Sequence, residues 1–193
     1  MSTPAENAVA IAQSLIRCPS ITPLDAGALD ALAAPLSAAG FACERLTFSE
    51  GGTPDVDNLV ARIGAGAPHL CFAGHTDVVP PGDESLWSHS PFTADIADGL
   101  LFGRGASDMK GAIACFAAAA IDFVAERNGE VGGTISFLIT GDEEGPALNG
   151  TKKVLVWMEE AGLIPNHCLV GEPSNATALG EVIKIGRRGS LTG

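Results

Sequence analysis

The sequence predicts an α/β fold, an open mixed sheet flanked by helices. Three observations carry this. Segments of helical and of strand-like hydrophobic patterning alternate along the chain. Three short apolar runs, 70–73, 135–140 and 168–170, each lead into a Gly followed by ionisable residues. A length of 193 residues, 46% hydrophobic against 18% charged, suits one well-packed domain with room for a piece of a second.

Taken in order, residues 4–17 carry apolar side chains at helical spacing (Val9, Ala12, Leu15, Ile16) and stop before Pro19. A turn-rich link follows, in which Asp25 or a neighbour is placed to cap the next helix, 28–39, which ends at Gly40. Strands are expected at 41–48, 58–63 and 70–73. The prolines and Gly of 78–83 make a loop, and 94–102 suits a small hairpin. A long Ala-rich helix reaches about Arg127, a buried strand spans 133–140, a helix 152–161 and a short strand 167–170. The stretch 182–192 reads as extended.

The candidate chemistry sits at the ends of these elements. His75 and Asp77 follow the run 70–73, and two residues apart in extended chain they share a face. That spacing suits a metal-binding imidazole steadied by a carboxylate. Asp108 is expected at the start of the Ala-rich helix, where its charge also offsets the helix dipole. Glu143 and Glu144 follow the strand 133–140, and Glu172 follows 167–170. Singly, each acid has an ordinary reading as a helix cap, a solvated turn or a loop residue. Jointly, at successive element ends, His75, Asp108, Glu144 and Glu172 converge on the crevice that open α/β sheets form at their carboxyl edge. One His with several carboxylates and no Cys suits zinc, manganese or cobalt. Gathered carboxylates raise one another's pKa, and divalent cations remove that cost.

Composition narrows the partners. A formal net charge of −12, from 23 acidic and 11 basic residues, argues against nucleic acid and anionic membrane. The longest apolar run, 112–121, is too short to cross a bilayer. Residues 1–14 lack the basic start of a secretory signal. The five cysteines, Cys18, Cys43, Cys71, Cys115 and Cys168, form no Cys-x-x-Cys and are read as free thiols in a reducing cytoplasm. Gly103-x-Gly105 lacks the rest of a phosphate loop, and His69, His89 and His167 are read as structural or surface groups.

Four ordered stretches, Gly74-His75-Thr76-Asp77-Val78-Val79-Pro80, Gly103-Arg104-Gly105-Ala106-Ser107-Asp108-Met109-Lys110-Gly111, Gly141-Asp142-Glu143-Glu144-Gly145 and Gly171-Glu172-Pro173, resemble the motifs of the M20 metallopeptidase family. The resemblance implies a zinc-peptidase-like catalytic domain over 1–180 and the start of an inserted α+β lid and dimerisation domain at 181–193. It implies two zinc ions, with cobalt an alternative. Asp108 would bridge them, His75 and Glu172 would complete one shell, and Glu144 would bind the other ion. Asp77 would orient His75, and Glu143 would be the general base. Three details, at 145–151, 170–174 and 184–190, favour members that remove a succinyl group from an amino acid over aminoacylases and carboxypeptidases, and another amidohydrolase of the family, such as an acetylornithine deacetylase or aminoacylase, is the alternative. The implied reaction is hydrolysis of N-succinyl-LL-2,6-diaminopimelate to succinate and LL-diaminopimelate, in lysine biosynthesis, with Arg187 and Ser190 contacting that small-molecule substrate. The family also implies a homodimer formed through the lid, and a second histidine ligand beyond Gly193. On this resemblance the chain is expected to be the N-terminal half of such an enzyme. A non-catalytic metal-binding module is the reading from another class, and Glu143 separates the two.

Overall fold

The structure, a computed structural model, describes residues 4–175, 177, 178 and 180–185. Helices α1 (Pro4–Ile16) and α2 (Ala28–Ala38) precede strands β1 (Ala42–Phe48), β2 (Val56–Gly64) and β3 (His69–His75). A short hairpin, β4 (Ile96–Ala97) and β5 (Leu100–Leu101), leads to α3 (Gly111–Glu126), β6 (Thr134–Thr140), α4 (Thr151–Glu160) and β7 (His167–Val170). Five strands form one sheet in the order β1-β2-β6-β3-β7. The pairs β1–β2 and β2–β6 are antiparallel, whereas β6–β3 and β3–β7 are parallel. The expected mixed sheet is present. The three strands whose ends carry the candidate residues are parallel neighbours, so those ends meet at one edge.

Helices cover both faces, which explains why β3 and β6 read as nearly continuous apolar runs. On one face, Leu15 of α1, Leu32 and Leu36 of α2, and Ile113 and Ala117 of α3 pack on Phe72, Phe137 and Ile139 of the sheet. On the other, Val154 and Met158 of α4 pack on Val60, Cys71 and Leu138. Alternation along each strand assigns neighbouring residues to opposite cores. Phe137 closes an aromatic cluster, with ring centroids 5.1 Å from Phe116, 5.6 Å from Phe41 and 6.2 Å from Phe72. The alanines of α3 that face inward, Ala114, Ala117 and Ala118, are buried and keep the helix–sheet distance short.

Several boundaries differ from expectation, each for a local reason. Strand β3 runs two residues past Ala73, so His75 is its last residue, paired in register with Thr140. Gly74 allows this, because a Cβ there would lie 2.6 Å from Met109 Cε. Asp25 does serve α2, but from outside the cap position. Gly27 holds that position, and the Asp25 carboxylate accepts the N–H groups of Gly27 and Leu29 at 3.1 and 2.8 Å. A single 3-10 turn at Glu84–Leu86 breaks the long loop. Residues 182–185 form no strand, and the remainder of that expected extended stretch lies outside the described residues. No described helix is long and apolar enough to cross a membrane.

Candidate metal centre

Asp108 corrects one expectation. It does not open the Ala-rich helix, which starts at Gly111. It lies in an irregular wide turn, Ala106–Lys110, with extended backbone at φ −126°, ψ 98° and a cis peptide to Met109. The turn is closed by the Lys110 N–H donating to the Gly105 carbonyl at 2.9 Å. Its effect is to turn the Asp108 side chain toward β3 instead of along the α3 axis. Asp108 Oδ1 lies 3.2 Å from His75 Nε2.

His75 is the centre of the cluster and is 1% exposed. Besides Asp108, its Nε2 lies 3.5 Å from Glu172 Oε1 and 3.9 Å from Glu143 Oε2. Ligand atoms of His75, Asp108 and Glu144 all lie within 4.8 Å of one another, a group that can hold a metal ion. The ring's other nitrogen, Nδ1, is engaged by the Asp77 backbone carbonyl at 2.9 Å, with Asp77 Oδ1 further off at 3.5 Å. An Nδ1–H held by a carbonyl leaves Nε2 as the nitrogen that faces the carboxylates, the one on which a metal ion would take the place of a proton. The donor set therefore fits a zinc-class ion: one oriented imidazole nitrogen, surrounding carboxylate oxygens and no thiolate.

The Asp77 carboxylate does something the sequence did not suggest. Buried, it accepts the backbone N–H of Glu143 through both oxygens at 3.2 Å and that of Glu144 at 3.0 Å. It thereby ties the exit of β6 to the exit of β3. The next acid, Asp142, folds the following loop around itself. Its carboxylate accepts the N–H groups of Ala147, Leu148 and Asn149 at 3.1, 2.9 and 3.0 Å.

The electrostatics match a crowded acidic site. Burial works against charge on His75, but hydrogen bonds to Asp77 and the charges of Asp77 and Glu172 outweigh it and push the imidazole up to about 9. Burial raises Glu144, with Asp108, Glu143 and Asp77 adding to it and His75 opposing. Glu172 is raised for the same reasons, burial first and then Asp108 and Glu143. Asp108 and Glu143 stay open to solvent, with side chains 50% and 53% exposed, so the cluster is reachable from outside.

All six candidates from His75 to Glu172 thus share one crevice, and Arg187 and Ser190 lie outside the described residues. Two supporting residues escaped the sequence reading. Met109 Sδ accepts the His75 backbone N–H at 3.3 Å. Lys110, fully buried, donates from Nζ to the carbonyls of Leu15 at 2.9 Å and Cys18 at 2.8 Å, locking the Asp108 turn to the end of α1. Both stand inside a motif that the sequence reading used, but residue type alone does not mark a lysine as buried. The other histidines are structural or surface groups, as expected: His69 is buried against Ser136 Oγ at 2.7 Å, His89 pairs with Asp95 and stacks on Phe102, and His167 is exposed on β7.

Over 192 residues the chain is 62% identical to a succinyl-diaminopimelate desuccinylase of Rhodopseudomonas palustris (strain TIE-1), covering 100% of this chain and 49% of that protein. It is 60% identical over 185 residues to a succinyl-diaminopimelate desuccinylase of Methylorubrum extorquens, covering 96% and 48%. The chain spans about half the length of the curated relatives it matches. Among solved structures it resembles the M20 family metallo-carboxypeptidase Sso-CP2 from Sulfolobus solfataricus, with TM-score 0.66 and 21% identity, covering 89% of this chain and 37% of that one. Human carnosine dipeptidase 1 gives TM-score 0.69 and 20% identity, covering 86% and 38%. These distant likenesses speak for the fold. The stretch 71–186, from the middle of β3 past the Glu172 loop, matches the sequence family described as Peptidase family M20/M25/M40. With that match running from β3 through the Asp108 turn and the Glu143–Glu144 segment to past Glu172, the chain belongs to peptidase family M20/M25/M40.

Proposed function

We propose that this chain carries the metal-binding half of an amide hydrolase that cleaves N-succinyl-LL-2,6-diaminopimelate to succinate and LL-diaminopimelate. The observation that carries the reading is the convergence of Asp108, Glu172 and Glu143 on His75 Nε2, at 3.2, 3.5 and 3.9 Å. The names and identities of the curated relatives support the succinyl substrate. The ligand roles are those that the family resemblance implies: Asp108 shared between two zinc ions, His75 and Glu172 on one, Glu144 on the other, with cobalt able to replace zinc. When bound, such ions supply Lewis acidity toward the scissile carbonyl and lower the pKa of water.

The chain's own residues do the rest. Asp77 fixes the imidazole through its carbonyl and the Glu143–Glu144 turn through its carboxylate. Glu143, half exposed at the mouth of the crevice, is the proton carrier. It takes a proton from the attacking water and returns it to the departing amine as the C–N bond breaks. On this reading 181–193 begins the lid and dimerisation domain of a homodimeric cytoplasmic enzyme. Arg187 and Ser190 contact the substrate there, a guanidinium being suited to a dicarboxylate by bidentate pairing.

The test pairs metal binding with turnover. Zinc titration of this chain and of Asp108→Ala should show binding in the first and its loss in the second. In the full-length enzyme, Glu143→Gln should abolish release of succinate while metal content stays unchanged. Assays on succinyl and acetyl substrates in parallel separate a desuccinylase from a deacetylase. Unchanged turnover in Glu143→Gln would sink the mechanism, and preference for the acetyl substrate would sink the substrate assignment.

A further inference from the structure

Two adjacent glutamates follow β6 and stand differently in the site. Glu144 supplies a ligand atom to the group that can hold a metal ion, whereas Glu143, half exposed, stops 3.9 Å from His75 Nε2. A bound ion would hold Glu144 in place through its own bond. Glu143 has no such bond, so its position depends on the backbone that carries it. Asp77 holds the amides of both glutamates at the start of the segment. The far side is fixed by Asp142.

Asp142 is 3% exposed, and its side chain closes residues 142–149 into a ring. Its N–H donates to Thr140 Oγ1 at 3.1 Å. Its Oδ1 accepts the Ala147 N–H, and its Oδ2 accepts those of Leu148 and Asn149. Asn149 anchors the returning end. Its Nδ2 donates to Thr53 Oγ1 at 2.8 Å and to the Pro54 carbonyl at 2.9 Å, and its Oδ1 accepts Lys153 Nζ at 2.6 Å. Packing holds the ring less, because a cavity of about 200 Å³ lies against it, with Thr22, Pro23, Val56, Pro146 and Leu148 in its walls. Gly145 lets the ring close: a Cβ there would lie 2.7 Å from Thr22 Oγ1 and 2.8 Å from Asp142 Oδ1. Glu143 is therefore suspended between two buried carboxylates, those of Asp77 and Asp142.

We propose that Asp142 is a positioning residue for the hydrolysis, aiming the Glu143 carboxylate at the attacking water through the ring it closes. The inference rests on the reading of Glu143 as the proton carrier. A general base works only within hydrogen-bond reach of the proton it takes. Misplacement by about 1 Å can cost about 100-fold in rate. With the ring opened, the loop has a cavity to move into, and Glu143 loses its aim while Glu144 stays on its ion.

The test is Asp142→Asn, in the full-length enzyme for turnover and in the 193-residue chain for zinc titration. An amide has one oxygen and one NH2, and either way round its NH2 faces at least one of the three backbone N–H groups. The kcat for succinate release should fall about 10–100-fold, with KM little changed. Zinc affinity should hold within about threefold, short of the losses of about 10–100-fold that follow when a residue that orients ligands is removed. A purely structural role would lower kcat, zinc affinity and melting temperature in step. Gly145→Ala is the second variant, for the case in which Asp142→Asn does not fold. It keeps every acid but presses a methyl group on Thr22 and Asp142, so it should give the same split. In whichever variant folds, an unchanged kcat, or a kcat that falls only in step with zinc affinity, would overturn the proposal. Glu143→Gln separates the two levels. If it turns over normally, the reading of Glu143 falls and the role of Asp142 with it; if it is dead while Asp142→Asn is not, the role of Asp142 falls alone.

Discussion

The Asp77 carboxylate accepts the backbone N–H of Glu144 at 3.0 Å, joining the exits of two parallel strands through one buried acid. The same carboxylate holds the Glu143 N–H, and the carbonyl of Asp77 holds His75. One residue therefore sets the distance between the imidazole and the two glutamates. Removing it leaves two amides without an acceptor, at about 1–3 kcal/mol for each buried group. Asp77→Ala should lower the melting temperature and weaken zinc binding by about 10–100-fold, the usual effect of losing a residue that orients ligands. Calorimetric titration with zinc and a thermal melt check both, and a variant that melts lower but binds zinc as before would separate Asp77 from the site.

A second prediction concerns the approach to Glu172. A Cβ on Gly171 would lie 2.7 Å from Phe72 Cζ and 2.9 Å from the Ala112 Cβ. Neither neighbour is a flexible chain end: Phe72 is 2% exposed within the aromatic core, and Ala112 is in the first turn of α3. Gly171→Ala should push the Glu172 loop outward and cost about 1–3 kcal/mol, as overpacking does. Weaker zinc binding together with lower stability to urea is the expected pair of readings, and unchanged zinc affinity would show that the loop absorbs the methyl group.

The core makes a simpler forecast. Phe137 is fully buried and touches Phe41, Phe72 and Phe116. Phe137→Ala should cost about 3–5 kcal/mol, the transfer term and the cavity together. Equilibrium unfolding in urea measures it, and a loss below about 1 kcal/mol would mean that the three remaining rings collapse into the space.

How much of this was legible in the sequence follows from the kind of signal each part leaves. The strands announced themselves, because β3 and β6 are buried on both faces and so read as unbroken apolar runs between glycines. The convergence of His75, Glu144 and Glu172 followed from those strand ends lying in parallel. Asp108 was placed in the right crevice for a partly wrong reason. Its helical surroundings suggested a helix start, whereas a wide turn with extended backbone at Asp108 presents it. The role of Asp77 was half legible: spacing of two put it beside His75, but the amides it holds belong to a segment 66 residues away. No periodicity encodes a contact of that kind. Lys110 was silent for the same reason, since its partners lie in α1 and just beyond it.

Lys110 gives the last prediction. Its ammonium is buried at the carboxyl end of α1, where the Leu15 and Cys18 carbonyls carry the negative end of the helix dipole. Charged-group hydrogen bonds of this sort contribute about 1.5–3 kcal/mol, so Lys110→Met should destabilise the fold by roughly that amount at neutral pH. The pH dependence has a definite sign. Burial lowers the Lys110 pKa from its ordinary 10.5 to about 8, so above pH 8 the unfolded chain binds a proton that the fold has released. Stability from this group therefore rises with pH between about 8 and 10.5. Lys110→Met lacks that rise, and the gap between the two proteins should widen from pH 7.5 to pH 9.5. Comparing the pair cancels the titration of His75, which both proteins share. Urea unfolding at the two pH values measures the gap, and a gap that narrows would mean that the ammonium stabilises the fold more as a cation than burial costs it.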